Sequence, residues 1–234
     1  MFVSGVARSG TSALVSVLNS HPNIFIEMER YYYLMDSEKI SREHFLKERF
    51  IDVRQGDTFN NGFASTMEQR LARFDEATFV GDKFPLLYKH FDYIFKEFPE
   101  ALHVYIVRNP LSVMESYDAR FKDNNDNWSK DWAASLVEWN DSVTRAARLT
   151  SAQRQRFVFL EYEKFFSSTK EMNKPFDFLG VSRLSDEKAT PFLEEFRSLN
   201  EVLAPRRDDI RSYVSRNACW AEYQAVLKFC DEAT

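Results

Sequence analysis

The sequence contains few of the residues that bind metals or cross-link secreted proteins. Among its 234 residues are two cysteines, Cys219 and Cys230, and four histidines. Two thiols are too few for a disulfide framework or a thiolate metal site, and the histidines do not have metal-ligand spacing. We therefore expect no metal site and a reducing compartment, the cytoplasm.

Long apolar runs and an excess of positive charge are also missing. No run of about 18 apolar residues occurs, and no charged and apolar leader precedes the first predicted strand. We therefore expect a protein that is soluble, is not exported and has no transmembrane segment. The net charge is −5 and the pI is about 5.5. This balance disfavours a nucleic-acid partner, so any anion site must be built locally.

Apolar runs that predict buried strands alternate with helical patterns along the chain. A hydrophobic content of 44% is typical of a globular protein, and we expect one α/β domain over residues 1–234. The alternation predicts three layers, in which a mostly parallel central sheet of about five strands is flanked by helices. The predicted strands are 2–6, 24–26, 78–80, 102–107 and 157–160. The predicted helices are 11–20, 66–74, 85–98, 110–121, 128–149, 162–179, 185–198 and 218–230.

The first strand runs into a loop that resembles the phosphate-binding loop of P-loop proteins. Gly5 and Gly10 keep the spacing of that loop, but Thr11 stands where its lysine is expected. Arg8 is the only cation between the two glycines. Inward backbone N–H groups and the start of the following helix favour a bound anion, while the missing lysine argues against γ-phosphate chemistry. The alternative is a plain turn with a helix cap over residues 9–12.

A second candidate anion site follows the strand at 102–107. Arg108 ends this strand, Asn109 is a helix cap, and Pro110 suits the first helical position. Ser116 lies two helical turns beyond the cap and Arg120 one turn further, so both return to the same side of the helix. A guanidinium and a hydroxyl that converge there would suit a second phosphate. In the alternative, Arg108 pairs with an acidic neighbour and Ser116 only packs.

Together, the loop at 5–12 and the segment at 107–116 resemble the 5′-phosphosulfate loop and the 3′-phosphate site of sulfotransferases. The likeness is to the branch that includes tyrosylprotein sulfotransferases and bacterial relatives, and it extends to about residue 180. It implies binding of 3′-phosphoadenosine 5′-phosphosulfate (PAPS), with 3′,5′-bisphosphate adenosine (PAP) as product. By matching positions, Arg8, Ser9, Gly10, Thr11 and Ser12 would hold the 5′-phosphosulfate, and Arg108, Ser116 and Arg120 the 3′-phosphate.

Three further segments match the family pattern and supply its catalytic groups. Counted from the loop arginine, Glu29 falls on the position of the family's catalytic carboxylate, and Glu27 is the alternative. Lys83 matches the lysine whose amine stabilises the transferring group, although Phe84 stands where threonine is commoner. Tyr162 matches a cofactor contact in a Tyr-Glu pair after a later strand.

The resemblance implies in-line sulfuryl transfer to a hydroxyl acceptor without a required metal. Glu29 would accept the proton of the acceptor, while Lys83 and Arg8 would compensate the developing charge. The acceptor is a sugar, a phenol, a lipid headgroup or a peptide tyrosine, and no motif decides among them. The number of subunits is equally open, a homodimer included.

Two regions have no recognisable motif. Residues 32–78 should shape the acceptor pocket, and the polar stretch 53–65 within them is predicted to be a surface loop of the kind that serves as a lid. Residues 200–234 should close over the nucleotide. The candidate closing residues are Arg206, Arg207 and Arg216.

Other functions remain as alternatives at this point. A small-molecule kinase with a degenerate loop would need a lysine near the γ-phosphate and a strand-end aspartate for magnesium. Thr11 counts against the first, and Asp82 is a weak candidate for the second. A non-catalytic nucleotide-binding module on the same fold is the other alternative, against which the presence of both Glu29 and Lys83 weighs. Either residue could instead be an ordinary surface or salt-bridged side chain.

Three tryptophans, Trp128, Trp132 and Trp139, share one face of the predicted helix at 128–149. Their spacing favours core packing over a platform for adenine or sugar, because an apolar stripe at helical spacing is normally buried.

Overall fold

The computed structural model describes residues 1–59, 67–123, 129–201 and 207–232. Within these residues the chain forms a five-stranded sheet in the order β2-β3-β1-β4-β5, and every neighbouring pair is parallel. The strands are β1 (Phe2–Ser4), β2 (Ile24–Met28), β3 (Phe79–Lys83), β4 (His103–Val107) and β5 (Phe157–Glu161). The predicted parallel sheet of five strands is confirmed.

Helices connect and cover these strands. The first half of the chain contains α1 (Thr11–Asn19), α2 (Tyr32–Asp36), α3 (Lys47–Ile51), α4 (Met67–Glu76), α5 (Phe91–Glu97) and α6 (Pro110–Phe121). The second half contains α7 (Trp132–Ala147), α8 (Ser151–Arg154), α9 (Tyr162–Phe165), α10 (Thr169–Met172), α11 (Lys174–Leu179), α12 (Asp186–Glu201), α13 (Asp208–Asn217) and α14 (Trp220–Glu232). Two 3₁₀ helices span Arg42–Phe45 and Leu87–His90.

Two predicted helices differ from the observed ones for local reasons. The helix predicted at 162–179 is divided into α9, α10 and α11, because the Ser168 side chain caps a new helix and Pro175 starts another. The helix predicted at 85–98 begins as the 3₁₀ turn at Leu87–His90 and becomes α-helical only at Phe91. The helix predicted at 110–121 has the observed bounds.

The sheet is the middle of three layers, since successive strand residues face opposite sides. Phe2, Tyr105 and Phe159 belong to a buried cluster with side chains of α5, α6, α7 and α14. Val3, Val104 and Val158 belong to a second cluster with side chains of α1, α11 and α12. The predicted flanking of the sheet by helices is therefore confirmed.

The tryptophan stripe on α7 is part of this core. Trp139 is fully buried and Trp132 packs against the same cluster, as the spacing predicts, while Trp128 lies outside the described residues. In the part of the chain that the structure describes, no helix has both the length and the apolar character needed to cross a membrane.

Candidate active site

The loop after β1 has a backbone that few residues tolerate. Gly5, Arg8 and Gly10 have φ angles of 140°, 66° and 94°, and positive φ is uncommon for a side chain as large as arginine. A Cβ on Gly5 would lie 2.2 Å from the Ile106 carbonyl oxygen. The buried Ser9 hydroxyl donates to the Val6 carbonyl at 2.6 Å. The loop therefore packs directly against Ile106 of β4, and the Ser9 hydroxyl stabilises the turn within the loop.

The end of this loop presents the N-terminus of α1. Gly10 is the N-cap and offers no side-chain cap, and the first turn contains no acidic residue. Thr11 is buried in the position of the missing lysine, and Ser12 is exposed. The helix dipole and the first-turn N–H groups therefore favour an anion at this point.

The two predicted anion-binding segments meet at Arg8. Its Nε donates to Ser116 Oγ at 3.0 Å, across 108 residues of sequence. Arg108 Nη1 donates to the Arg8 carbonyl oxygen at 3.3 Å. The Asn109 side chain caps α6 by accepting from the Leu111 N–H at 2.9 Å. The strand end and the helix start therefore bring a second guanidinium and a hydroxyl to the first loop.

Tyr162 packs between the two segments. The Arg108 guanidinium lies over its ring at 4.1 Å from the centroid, within the range of a cation–π contact. A Cβ on Gly10 would lie 2.4 Å from Tyr162 Cδ2. This side chain therefore contacts the loop and the strand-end arginine together.

Arg120 lies on α6 one turn beyond Ser116. Burial raises the pKa of Tyr117, and the positive charges of Arg8 and Arg120 oppose that effect. Hydrogen bonds join Arg8, Arg108 and Ser116 at the carboxyl ends of β1 and β4, and Arg120 follows Ser116 on the same side of α6. These four residues are called the basic patch.

Trp139 supports the end of β4, although its spacing in the sequence predicts only core packing. Its indole Nε1 donates to the Arg108 carbonyl oxygen at 3.0 Å. The contact holds the backbone at the end of β4 from the side of α7. A helical stripe predicts burial but not which polar group the indole N–H will meet, so no signal in the sequence pointed to this bond.

Glu29 and Lys83 meet on the other side of β1. Met28 is in register with Lys83 at the ends of β2 and β3. Glu29 follows directly, and its φ is 57°. Lys83 Nζ lies 2.6 Å from Glu29 Oε1, and the lysine is buried. The predicted base and the predicted cation therefore form an ion pair at the carboxyl end of β3.

Glu27, the alternative base, has a different partner. Its Oε1 lies 2.8 Å from Arg70 Nε of α4. Burial raises the pKa of Glu27 and the Arg70 charge opposes this. Glu27 is thus held towards α4, whereas Glu29 is held beside Lys83.

Aromatic side chains of the predicted acceptor region pack beside Phe84, the residue that follows Lys83. Tyr32 lies 5.3 Å from Phe84 and 4.7 Å from Phe59 between ring centroids. Tyr33 and Phe59 are exposed to 46% and 52%. The predicted loop at 53–65 is described only to residue 59.

The C-terminal arginines have different surroundings. Arg207 Nη1 donates to Asp118 Oδ1 of α6 at 2.7 Å and pairs with Asp209. Arg216 Nε donates to the Ser212 carbonyl oxygen within α13 at 3.0 Å. Arg206 lies outside the described residues. The beginning of α13 is therefore attached to α6 two residues beyond Ser116.

Among the described residues, no group of three or more His, Cys, Asp or Glu side chains is arranged to hold a metal ion.

Comparison with known proteins identifies the family. A family model described as "Sulfotransferase family" matches residues 1–186. The chain belongs to the sulfotransferase family. The resemblance inferred from the two anion-binding segments is thereby confirmed.

The curated relatives are distant and much longer. The chain is similar to nodulation protein NoeE of Sinorhizobium fredii, with 28% identity over 49% of this chain and 30% of that protein. It is also similar to protein-tyrosine sulfotransferase A of Caenorhabditis elegans, with 25% identity over 61% of this chain and 39% of that protein. The aligned part is thus less than half the length of either relative.

Solved sulfotransferase structures share the fold. A sulfotransferase from Alicyclobacillus acidocaldarius aligns over 98% of this chain and 94% of its own, with a TM-score of 0.57 and 16% identity. Mouse sulfotransferase SULT7A1, complexed with PAP, aligns over 83% of this chain and 62% of its own, with a TM-score of 0.50 and 16% identity.

Proposed function

We propose that this protein is a sulfotransferase that moves a sulfuryl group from PAPS to a hydroxyl acceptor and leaves PAP. The observation that carries the proposal is that the basic patch and the Glu29–Lys83 ion pair lie on opposite sides of the loop that follows β1. The basic patch joins the loop to α6, the helix that follows β4, through the 3.0 Å bond from Arg8 to Ser116. The Glu29–Lys83 ion pair lies at the end of β3, the neighbour of β1 on the other side.

The residues at the loop fit a nucleotide that carries anions at both its 5′ and 3′ positions. Arg8, Ser9, Gly10, Thr11 and Ser12 would hold the 5′-phosphosulfate at the start of α1. Arg108, Ser116 and Arg120 would hold the 3′-phosphate, with Tyr162 packed between the two sites. The mouse sulfotransferase structure, which is a complex with PAP on a similar fold, supports this choice of nucleotide.

When bound, PAPS supplies a sulfuryl group whose sulfur exchanges its bond to a phosphate oxygen for a bond to the acceptor oxygen. Glu29 would accept the proton of the acceptor hydroxyl, a role worth about 10²- to 10⁴-fold in rate. Lys83 and Arg8 would compensate the charge left on the phosphate, as fixed cations do in a site with little water. Positioning and charge therefore account for the reaction, as they do in phosphoryl transfer.

We assign the other regions of a single domain over residues 1–234 by their position. Residues 32–78 would shape the acceptor pocket, since Tyr32 packs between Phe59 and Phe84, the residue that directly follows Lys83. Residues 200–234 would close over the nucleotide, since Arg207 already contacts α6. The acceptor class, among sugar, phenol, lipid headgroup and peptide tyrosine, is left to experiment.

A kinase with a degenerate loop fits the site less well. Thr11 is buried where the kinase lysine would stand. Both carboxylate oxygens of Asp82 accept backbone N–H groups, and this residue is the strand-end aspartate that would have to hold magnesium.

Calorimetry with PAP, ADP and ATP, with and without magnesium, tests the nucleotide. We expect PAP to bind more tightly than ADP or ATP and to need no metal. A preference for ATP with magnesium would overturn the proposal. Transfer itself is tested with ³⁵S-labelled PAPS against sugar, phenol, lipid-headgroup and tyrosine-peptide acceptors.

A further inference from the structure

Asp82 is a buried carboxylate that precedes the candidate catalytic residue Lys83. The proposed reaction does not use Asp82. It is fully buried at the end of β3. Its Oδ1 accepts the Arg30 backbone N–H at 3.0 Å, and its Oδ2 accepts the Tyr31 backbone N–H at 3.0 Å. Both oxygens thus bind the two peptide groups that follow Glu29.

The turn that they bind is an unfavourable one for glutamate. Glu29 has a φ of 57°, a left-handed conformation that is unfavourable for a residue with a side chain. The Glu29 N–H donates to the Lys83 carbonyl oxygen at 2.9 Å. Three successive N–H groups, from Glu29 to Tyr31, are therefore held by two consecutive residues of β3.

Burial disfavours a charged carboxylate at this place. Desolvation raises the pKa of Asp82 to about 7, against the N–H groups of Arg30 and Tyr31, which lower it. A buried charge is weak evidence for stability, because an apolar side chain of similar size often stabilises a protein as well. The free-energy cost of burying this carboxylate is consistent with a role of Asp82 in positioning the turn.

We propose that Asp82 is a positioning residue that holds the Glu29 carboxylate at the Lys83 amine. By binding the Arg30 and Tyr31 N–H groups, it fixes the left-handed backbone from which the Glu29 side chain projects. The consequence for catalysis rests on the proposed function, in which Glu29 accepts the acceptor proton. The placement of Glu29 beside Lys83 does not depend on the proposed function.

The turn has a second anchor, so a variant at Asp82 is expected to fold. Arg30 is fully buried, and its Nη1 donates to Asp57 Oδ2 at 2.5 Å. Its Nη2 donates to the Asp52 carbonyl oxygen at 2.6 Å. Asp82→Asn keeps the shape of the side chain but leaves only one oxygen to accept the two N–H groups.

Glu27→Gln is the matched control for the placement of the turn, which is measured without turnover. Glu27 is the register partner of Asp82 across β2 and β3 and is a buried carboxylate too. It pairs with Arg70 and not with the turn. The two variants therefore remove the same charge from neighbouring buried positions, and only one of them removes a bond to the turn.

The first measurement is steady-state sulfuryl transfer. For Asp82→Asn we expect kcat to fall by about 10- to 100-fold, because a misplaced catalytic group costs that much, while the KM for PAPS and the affinity for PAP stay within about twofold. The control for turnover is Glu171→Gln, since the half-buried Glu171 of α10 pairs with Lys174 and has no role in the candidate site; for it we expect kcat to stay within about twofold. An unchanged kcat in Asp82→Asn, or an equal loss in both variants, would overturn the proposal.

The second measurement does not need turnover. The ¹⁵N resonance of the Lys83 ammonium reports its contact with Glu29, and its shift in Glu29→Gln defines loss of that contact. Asp82→Asn should reproduce most of that shift and speed hydrogen exchange at the Arg30 and Tyr31 amides, whereas Glu27→Gln should do neither. If the wild-type protein transfers no sulfate, the proposed function fails, but this spectrum still tests whether Asp82 places Glu29 beside Lys83. An unmoved Lys83 resonance in Asp82→Asn would refute that positioning role.

Discussion

Lys83 and Glu29 are joined twice, once through their side chains at 2.6 Å and once from the Glu29 N–H to the Lys83 carbonyl oxygen at 2.9 Å. The two residues are 54 positions apart in sequence. The candidate base and the candidate cation are thus one rigid unit at the carboxyl ends of β2 and β3. A change in either is expected to alter the charge and the placement of the other.

Glu29→Gln should abolish most transfer while leaving nucleotide binding intact. The amide keeps the shape of the side chain but cannot accept the acceptor proton, so kcat should fall by about 10²- to 10⁴-fold. PAP binding by calorimetry should stay near the wild-type value, because the proposed anion-binding residues lie in the loop that follows β1 and in the segment that follows β4. A comparable loss in Glu27→Gln would instead assign the base to Glu27.

Much of this site could be predicted because its residues lie in short local patterns. Glycine spacing predicted the loop, and a strand followed by an Asn cap and a proline predicted the position of Arg108. Parallel strands end at one edge of a sheet, so residues that follow β1, β3 and β4 had to come together. The observed bond between Arg8 and Ser116 follows from that geometry.

The structure of residues 32–59, in the proposed acceptor region, could not be predicted, because long-range polar contacts hold this segment together. Asp57 binds the guanidinium groups of Arg30 and Arg49, and no periodic pattern connects these positions. The helices α2 and α3 have five residues each, too few for a hydrophobic period to show. Their place depends on tertiary contacts such as the Tyr33 N–H bond to the Asp57 carbonyl oxygen at 3.1 Å.

Arg108→Ala should weaken 3′-phosphorylated nucleotides more than 5′-monophosphates. Loss of a charged hydrogen-bond donor costs about 1.5–3 kcal/mol, or about 10- to 100-fold in the Kd for PAP. The Kd for AMP should change much less, and calorimetry with both nucleotides measures the difference. Arg183→Ala, an exposed arginine that pairs with Asp177, is the control. Equal weakening of PAP and AMP would contradict the assignment of Arg108 to the 3′-phosphate.

Gly10→Ala should disrupt the loop more than its backbone angle alone requires. Gly10 and Gly180 both have positive φ, 94° and 68°, but only Gly10 has a neighbour that a Cβ would strike, Tyr162 at 2.4 Å. Gly180→Ala should therefore cost only the roughly 1–2 kcal/mol of a left-handed residue. Gly10→Ala should cost more in urea denaturation and should also weaken PAP binding. Equal costs with unchanged binding would show that Tyr162 does not pack on the loop as described.

Asp57→Asn should loosen the acceptor side in a pH-dependent way. Burial raises the pKa of Asp57, but hydrogen bonds from Arg49 and Arg30 prevail and lower it from 3.8 to about 2. The carboxylate thus stabilises the fold above pH 3.8, and this contribution is lost as the pH falls towards 2. Breaking such a buried pair costs about 3–5 kcal/mol. Urea denaturation should show that difference at pH 7 and a smaller one at pH 3; a constant difference would refute the role of the ion pairs.

His103→Phe should stabilise the protein, and more so at lower pH. The His103 ring is buried and stacks on Phe157 at 4.4 Å, and neither of its nitrogens has a hydrogen-bond partner among the described residues. Burial lowers its pKa from 6.5 to about 3, so below pH 6.5 the unfolded chain binds a proton that the folded one does not.

The stability of the wild type should therefore fall as the pH drops from 6.5 towards 3, by up to about 1.4 kcal/mol per pH unit from this group. A phenylalanine removes both the buried nitrogens and this pH dependence while keeping the stack. Thermal unfolding at pH 7.5 and pH 5 measures the gain, which should be larger at pH 5. His90→Phe is the control, because His90 lies near the surface with its Nδ1 3.1 Å from Glu38. A gain at His103 that is the same at both pH values would show that its ring is protonated within the fold.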